Sequence, residues 1–485
     1  MSYACVYSRA CYGMSAPLIS VEVHLSAGLP NFSIVGLPEK ALKESKDRVR
    51  SAILNSNFDF PMQRITVNLA PADLPKQGGR FDLAIALGIL IASQQVKTKV
   101  LAEYEFAAEL ALDGHLRSIK AALPFAIATQ AAKRKLIIAI ENSDEVKLAR
   151  HLPAFSAQTL LEVCAHLQNE TTLPNIIGDI SVTALHDKKD LNEVKGQVQG
   201  KRALEIAAVG NHSILFYGPP GTGKTMLAQR LMSIMPELNE EQALEVAAIY
   251  SLSRGKFDAS QWQQRPFRAP HHSASTAAMV GGGRPVQPGE ISLAHHGVLF
   301  LDEFPEFNRA VLEALREPLE AGSISVARAN SRENYPARFQ LIAAMNPCPC
   351  GYFGDRLKKC QCSFEQIKKY ESKVSGPLLD RIDLHVAMPR IANSQLYEDL
   401  AVESSAMVRE RVVMATREPA VTELKREAQD FLVASAEKLQ LSMRAQARIL
   451  RVARTIARLE KSPRAEVTHV AEAFSFRKPD KVSYT

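Results

Sequence analysis

Gly218-Pro219-Pro220-Gly221-Thr222-Gly223-Lys224-Thr225 fits the pattern G-x-x-x-x-G-K-[ST] and lies between the apolar run Ser213-Ile214-Leu215-Phe216-Tyr217 and a helical stretch continuing Met226-Leu227-Ala228-Gln229-Arg230-Leu231. Strand, glycine-rich loop and helix in that order predict a phosphate cradle. The glycines let backbone N–H groups curl around an anion, Lys224 reaches the β- and γ-phosphates, and the Thr225 hydroxyl is a ligand for Mg²⁺. The positive end of the helix faces the bound charge. Further along, Val298-Leu299-Phe300-Leu301 ends in Asp302-Glu303. Asp302, at the end of a buried strand, can hold the Mg²⁺ water shell, while Glu303 can polarise an attacking water. The pair alone would also suit an ordinary solvated strand end. With the loop, it implies a nucleotide hydrolase whose cofactors are ATP and Mg²⁺.

The length, 485 residues, is too great for one core and suggests roughly three domains. Hydrophobic residues make up 46% and charged residues 23%, which excludes disordered and collagenous classes. The segment Met1-Ser2-Tyr3-Ala4-Cys5 lacks a basic region followed by an apolar core, and the apolar run at 83–92 is too short to span a bilayer. A cytoplasmic protein with no membrane partner is expected. Seven cysteines without a secretory signal point to thiols or metal ligands over a disulfide framework. A net charge of +7 permits nucleic-acid binding.

The fold class is α/β. Residues 1–168 alternate strand-like runs (18–23, 65–69, 136–140) with helical stretches (40–55, 84–93, 121–133). Residues 169–193 turn to Thr, Asn, Asp and Lys and read as a linker. The nucleotide-binding core spans 194–390, with a parallel sheet and a cysteine-rich insertion at 348–362. Residues 391–485 are mainly helical; in 442–460, Met443, Ile449, Leu450, Val452, Ala453 and Ile456 fall near one face and the arginines mostly off it.

Cys348, Cys350, Cys360 and Cys362 form two C-x-C pairs in one short loop, a set that suits tetrahedral Zn²⁺, with free thiols as the other reading. The remaining cysteines, Cys5, Cys11 and Cys164, read as buried apolar residues. The pairs His271-His272 and His295-His296 suggest a metal only weakly, because neighbouring histidines rarely share one ion.

The glycine loop, Arg265-Pro266-Phe267-Arg268-Ala269-Pro270-His271-His272, the run ending at Glu303, Asn346-Pro347-Cys348-Pro349-Cys350-Gly351 and Gly376-Pro377-Leu378-Leu379-Asp380-Arg381-Ile382-Asp383 together resemble the ComM/YifB family of magnesium-chelatase-like AAA+ ATPases. The resemblance covers essentially the whole chain; one departure is the segment 414–424, shorter than the family linker. It implies a Lon-protease-like N-terminal domain, an AAA+ core and a helical lid. It also implies a homo-hexameric ring that migrates branched DNA during natural transformation, possible partners being recombination proteins. By position, Asn346 resembles sensor 1, Arg381 the arginine finger offered to a neighbour's ATP, and Arg444 sensor 2. A planar, permanently charged guanidinium suits the last two roles. Read alone, Asn346 is also a turn former, Arg381 an ion-pair partner of Asp380 or Asp383, and Arg444 one helix-face arginine among several.

The segment 324–331 resembles a pore hairpin, with Arg328 directed at DNA phosphates; Lys358 and Lys359 make the cysteine loop basic as well. Where Lon-type proteases carry their nucleophilic serine this chain has Arg80, and Leu123 stands at the activating lysine's place, with Lys120 nearby. A serine–lysine dyad needs both partners, so the N-terminal domain is expected to be a non-proteolytic scaffold. Protein-remodelling and metal-chelatase-type motors are the rival classes.

Overall fold

The computed structural model describes residues 2–36, 39–74, 76, 78–178, 189–283, 286–328, 331–355, 357–391 and 403–477. The N-terminal region is built on seven strands: β1 (Tyr3–Arg9), β2 (Leu18–Ser26), β3 (Asn31–Val35), β4 (Arg64–Ala70), β5 (Tyr104–Ala107), β6 (Lys135–Ala139) and β7 (Ala154–Ala157), in the order β3-β4-β2-β1-β5-β6-β7. Its β1–β2 and β2–β4 pairs are antiparallel and the others parallel. Helices α1 (Glu39–Asn55), α2 (Asp82–Ala92) and α3 (Ala122–Ala131) match the three helical stretches of the sequence. The apolar run at 83–92 is a core helix buried on nearly all sides. Gly88 makes that possible, since a Cβ there would lie 2.4 Å from Val23 Cγ2 on the sheet. Residues 173–176, early in the expected linker, run beside β7, with Ile176 N–H donating to Ala154 O at 2.7 Å. Residues 179–188 of that stretch lie outside the described residues.

In the core, α4 (Val198–Gly210), β8 (Ile214–Tyr217), α5 (Lys224–Ile234), α6 (Glu240–Arg254), β9 (Phe267–Arg268) and β10 (Val298–Leu301) lead to β13 (Gln340–Met345) and β14 (Leu384–Ala387). Between them stands a hairpin of β11 (Ser323–Arg328) and β12 (Ser331–Pro336). The order β9-β10-β13-β8-β14 is parallel throughout. Both faces are covered, so successive residues feed different cores: Ile214 and Phe216 pack with Ile342 and Leu384, and Leu215 with Leu299, Leu341 and Ala343. That is why these strands read as unbroken apolar runs. A single helix over 311–321 fits the sequence pattern, but two form, Arg309–Ala314 and Arg316–Ala321. Pro318 has no N–H for the Ala314 carbonyl, which interrupts the ladder.

The C-terminal region folds as α7 (Ser405–Arg417), α8 (Arg426–Lys438), α9 (Met443–Leu459) and α10 (Val467–Ser475). The apolar face of α9 uses Ile449, Val452, Ala453 and Ile456, but Met443, expected on it, is 78% exposed because it opens the helix beyond the packed turns. These helices share one hydrophobic cluster with α4, α5 and the sheet. A polar lock sits beside it. Buried Asp383 accepts from Arg448 at 2.6 Å and Arg451 at 2.9 Å and meets His212 Nδ1 at 3.2 Å, while His212 Nε2 meets Thr455 Oγ1 at 2.8 Å. Burial alone would raise the Asp383 carboxyl, yet His212 and the two arginines hold it well below the usual carboxylate range.

The N-terminal region is not free of the core. Leu123, Phe125 and Ala126 of α3 pack with Val246, Ala247 and Ile249 of α6 and with Trp262, all buried. The turn after β1 touches the hairpin, where Tyr12 Oη donates to Arg332 O at 3.4 Å and a Cβ on Gly13 would lie 2.2 Å from Glu333 Oε2.

Removing the Asp383 charge leaves two arginines facing an uncompensated buried site, so Asp383→Asn is expected to cost about 3–5 kcal/mol. The readout is the thermal transition that frees the C-terminal helices to proteolysis. An unchanged midpoint would show that apolar packing alone holds them.

Candidate nucleotide-binding site

β8 delivers the chain into the glycine loop, and Gly218 is required there because a Cβ would sit 2.3 Å from Met388 O. Gly223, at φ +89°, turns the backbone into α5, whose first turn has no intrahelical carbonyls for its N–H groups. Lys224 Nζ donates to Gly218 O at 2.6 Å, Pro219 O at 2.9 Å and Asn346 Oδ1 at 3.0 Å. Burial lowers the Lys224 amine to about 8, against the charge of Asp302. Thr225 Oγ1 donates to Asp302 Oδ2 at 2.7 Å, and Asp302 Oδ1 takes the Glu303 N–H at 2.9 Å. The cleft, about 710 Å³, is lined by the loop from Pro220 to Met226, by Ala269 to His272, and by Asp302, Glu303 and Asn346. A hydroxyl beside a carboxylate suits Mg²⁺, and a lysine over open amides suits a polyphosphate, so these residues fit both cofactors read from the sequence.

Arg381 and Arg444 do not line this cleft. Arg381 is 6% exposed, paired with Glu320 Oε1 at 2.6 Å and donating to Pro377 O at 2.6 Å. Its acid is therefore neither Asp380, which pairs with Arg477, nor Asp383. The Glu320 carboxyl is lowered first by the Arg381 hydrogen bond and also by the charges of Arg381, Arg444 and Arg448, which places the two predicted arginines around one acid. Arg444 itself is exposed. Arg328 closes the hairpin ladder opposite Ser331; its side chain lies outside the described residues. Lys358 and Lys359 are exposed, Lys358 standing 4.1 Å over the Tyr352 ring.

The cysteine loop begins two residues after Asn346 and packs on the glycine loop: a Cβ on Gly351 would lie 2.8 Å from Pro220 Cδ. Cys348 Sγ is 3.3 Å from Cys350 Sγ and 3.7 Å from Cys360 Sγ, and Cys350 Sγ is 3.5 Å from Cys360 Sγ. Cys362 Sγ accepts the Cys350 N–H at 3.4 Å. Tetrahedral zinc with Zn–S bonds of about 2.3 Å needs sulfurs about 3.8 Å apart, so the set is compatible with Zn²⁺. Of the other cysteines Cys164 is buried, but Cys5 and Cys11 are only partly so.

His295 and His296 converge with Glu245, their Nε2 atoms 2.8 and 2.7 Å from its Oε2, a gathering of ligand types invisible in the sequence. His295 Nδ1, however, accepts the Arg338 N–H at 3.0 Å. The neutral ring must then carry its proton on Nε2 and has no lone pair there for a metal. The group is a hydrogen-bonded strut. The other pair had a role in the cleft that sequence reasoning missed: His272 Nδ1 lies 3.0 Å from Glu303 Oε2. The available signal was its place just past β9, the strand beside β10.

Three family models match the chain: magnesium chelatase, subunit ChlI, over residues 190–396; subunit ChlI of Mg-chelatase over 21–142; and the ChlI C-terminal model over 417–477. The chain is 48% identical to a competence protein, ComM, of Haemophilus influenzae, with 98% of each chain covered. It is also 48% identical to an uncharacterized protein, YifB, of Escherichia coli, covering 99% of this chain and 98% of the relative. A distant likeness, 24% over 296 residues, links it to the DNA replication licensing factor Mcm6 of Drosophila melanogaster, covering 55% of this chain and 32% of that one.

The sulfur geometry makes metal content the direct measurement. Elemental analysis is expected to find about one Zn²⁺ per chain, with Cys360→Ser losing it and loosening the loop. Absence of zinc from protein purified without chelator would return the four cysteines to free thiols.

Proposed function

The chain belongs to the ComM/YifB family of magnesium-chelatase-like AAA+ proteins, and from that premise we propose that it is a hexameric, ATP-driven DNA motor. It acts in the cytoplasm and promotes branch migration of recombination intermediates during natural transformation. The observation that carries this reading is the convergence of Lys224, Thr225, Asp302, Glu303 and Asn346 on one cleft. Binding alone needs the loop and the magnesium ligands; a carboxylate beside Asp302 adds a base for water. The name of the competence relative and the distant likeness to a replication factor favour DNA as the substrate over a protein or porphyrin.

In this reading Lys224 moves from the Gly218 and Pro219 carbonyls to the β- and γ-phosphates, Thr225 and Asp302 hold Mg²⁺, and Glu303 takes the proton of the attacking water. Asn346, fixed by its N–H bond to Tyr370 Oη, contacts the γ-phosphate. Arg381 and Arg444 stand outside their own cleft and act on the neighbouring subunit's ATP, Arg381 exchanging Glu320 for the γ-phosphate. Zn²⁺ on the four cysteines ties the loop beside Pro220. The hairpin presents Arg328 to the DNA backbone, supported by Lys358 and Lys359. The N-terminal region is a non-proteolytic Lon-like scaffold braced against that hairpin.

ATPase measured with and without a four-way DNA junction tests the proposal. DNA is expected to raise turnover while unfolded protein and porphyrin leave it flat, and Glu303→Gln is expected to retain ATP while turnover falls by roughly 10²–10⁴. Arg328→Ala should slow junction migration and flatten its salt dependence with basal ATPase retained. A flat response to DNA overturns the motor reading, and parental turnover in Glu303→Gln overturns the hydrolytic site.

Mixed rings test the shared site. Arg381→Ala is expected to lower turnover by about 10³–10⁵. Blending it with Lys224→Ala subunits should restore part of the activity, because some interfaces then carry both native residues. No recovery in rings shown to mix would place Arg381 in its own subunit's chemistry.

A further inference from the structure

Glu303 follows β10 in the left-handed region, at φ +52°. A side-chain-bearing residue there costs on the order of 1 kcal/mol and persists only where its surroundings hold it. Asp302 cannot hold the carboxylate, since its own oxygens take the Thr225 hydroxyl and the Glu303 N–H. Among the described residues, the contact made by the Glu303 carboxylate is His272 Nδ1, 3.0 Å from Oε2.

The His272 ring is itself fixed. It stacks on His271 with centroids 4.1 Å apart and meets the Phe307 ring edge-on at 6.5 Å. His271 is anchored in turn, its Nδ1 2.8 Å from Ser273 Oγ. Both histidines line the cleft. The imidazole therefore reaches Glu303 from the neighbouring strand on a rigid support, while the carboxylate side chain, 57% exposed, would otherwise sample several rotamers.

We propose that His272 is a positioning residue for hydrolysis, donating Nδ1–H to Glu303 Oε2 so that Oε1 keeps its lone pairs for the proton of the attacking water. The proposal rests on Glu303 being the base. A base must stand within hydrogen-bond reach of the proton it takes, and a misplacement of about 1 Å can cost roughly 10²-fold. His272 touches neither phosphate nor magnesium ligand in this arrangement and acts through Glu303.

The test is a double-mutant cycle on steady-state ATPase. His272→Ala is expected to lower kcat roughly 10- to 100-fold with KM for ATP within about twofold. His272→Asn, whose amide N–H₂ can take the place of Nδ1–H, should recover most of the rate. In a Glu303→Gln background His272→Ala should cost nothing further, because both changes remove the same positioned base. Three results overturn the proposal: parental kcat in His272→Ala, a loss that multiplies with that of Glu303→Gln, or lost ATP affinity in both His272 variants. If Glu303→Gln itself turns over at the parental rate, the base assignment fails first; if it is inactive while His272→Ala is normal, only the positioning role fails.

Discussion

The register of three adjacent parallel strands governs this protein. Ile214 of β8 stands opposite Ile342 of β13 on one side and Leu384 of β14 on the other, and Val298 of β10 opposite Gln340. Parallel strands end on the same edge, so the glycine loop, Asp302-Glu303 and Asn346 emerge together although up to 128 residues of chain separate Gly218 from Asn346. A one-residue slip would turn every side chain of the shifted strand to the opposite core. The two clusters that receive alternate residues make such a slip expensive, since each large apolar side chain contributes about 1.5–3 kcal/mol on burial. Packing on both faces thus holds the cleft in place.

The same sheet ties the outer regions to the cleft. The Asp383 network joins the N-terminal end of β8 to α9, so movement of the C-terminal helices is transmitted to the strand that carries the glycine loop. Asp383 lies two residues from Arg381, and Glu320 draws Arg381, Arg444 and Arg448 toward one acid. The N-terminal region enters through α3 on α6 and through the turn resting on Glu333 of the hairpin. These links are apolar packing and buried ion pairs, which transmit displacement because they are close-packed.

Histidines show how one residue type takes several tasks. His212, fully buried, completes the Asp383 lock; His295 and His296 brace Glu245; and His272 meets Glu303 in the cleft. Burial lowers the pKa of His212, His295 and His296, keeping them neutral donors and acceptors in a wide range around neutrality. Adjacent histidines in a sequence suggested a metal only weakly, and the Arg338 N–H on His295 Nδ1 removes the lone pair that ligation at Nε2 would need.

The sequence by itself determined the features whose physics is local. A glycine loop followed by a helix makes its cradle from consecutive amides; a run such as Val298-Leu299-Phe300-Leu301 declares a strand buried on both faces; and two C-x-C pairs within one short loop must lie close together. The α/β class, the three helices at the N-terminus and the long α9 were legible for that reason. Tertiary structure alone decided pairings that no local pattern encodes: His272 with Glu303, Arg381 with Glu320, and His212 with Asp383 across 171 residues. It also broke the helix expected at 311–321 and placed Met443 in solvent. Such partners are chosen by which strand ends and helix faces the packed sheet brings together, and that choice is made by the whole core.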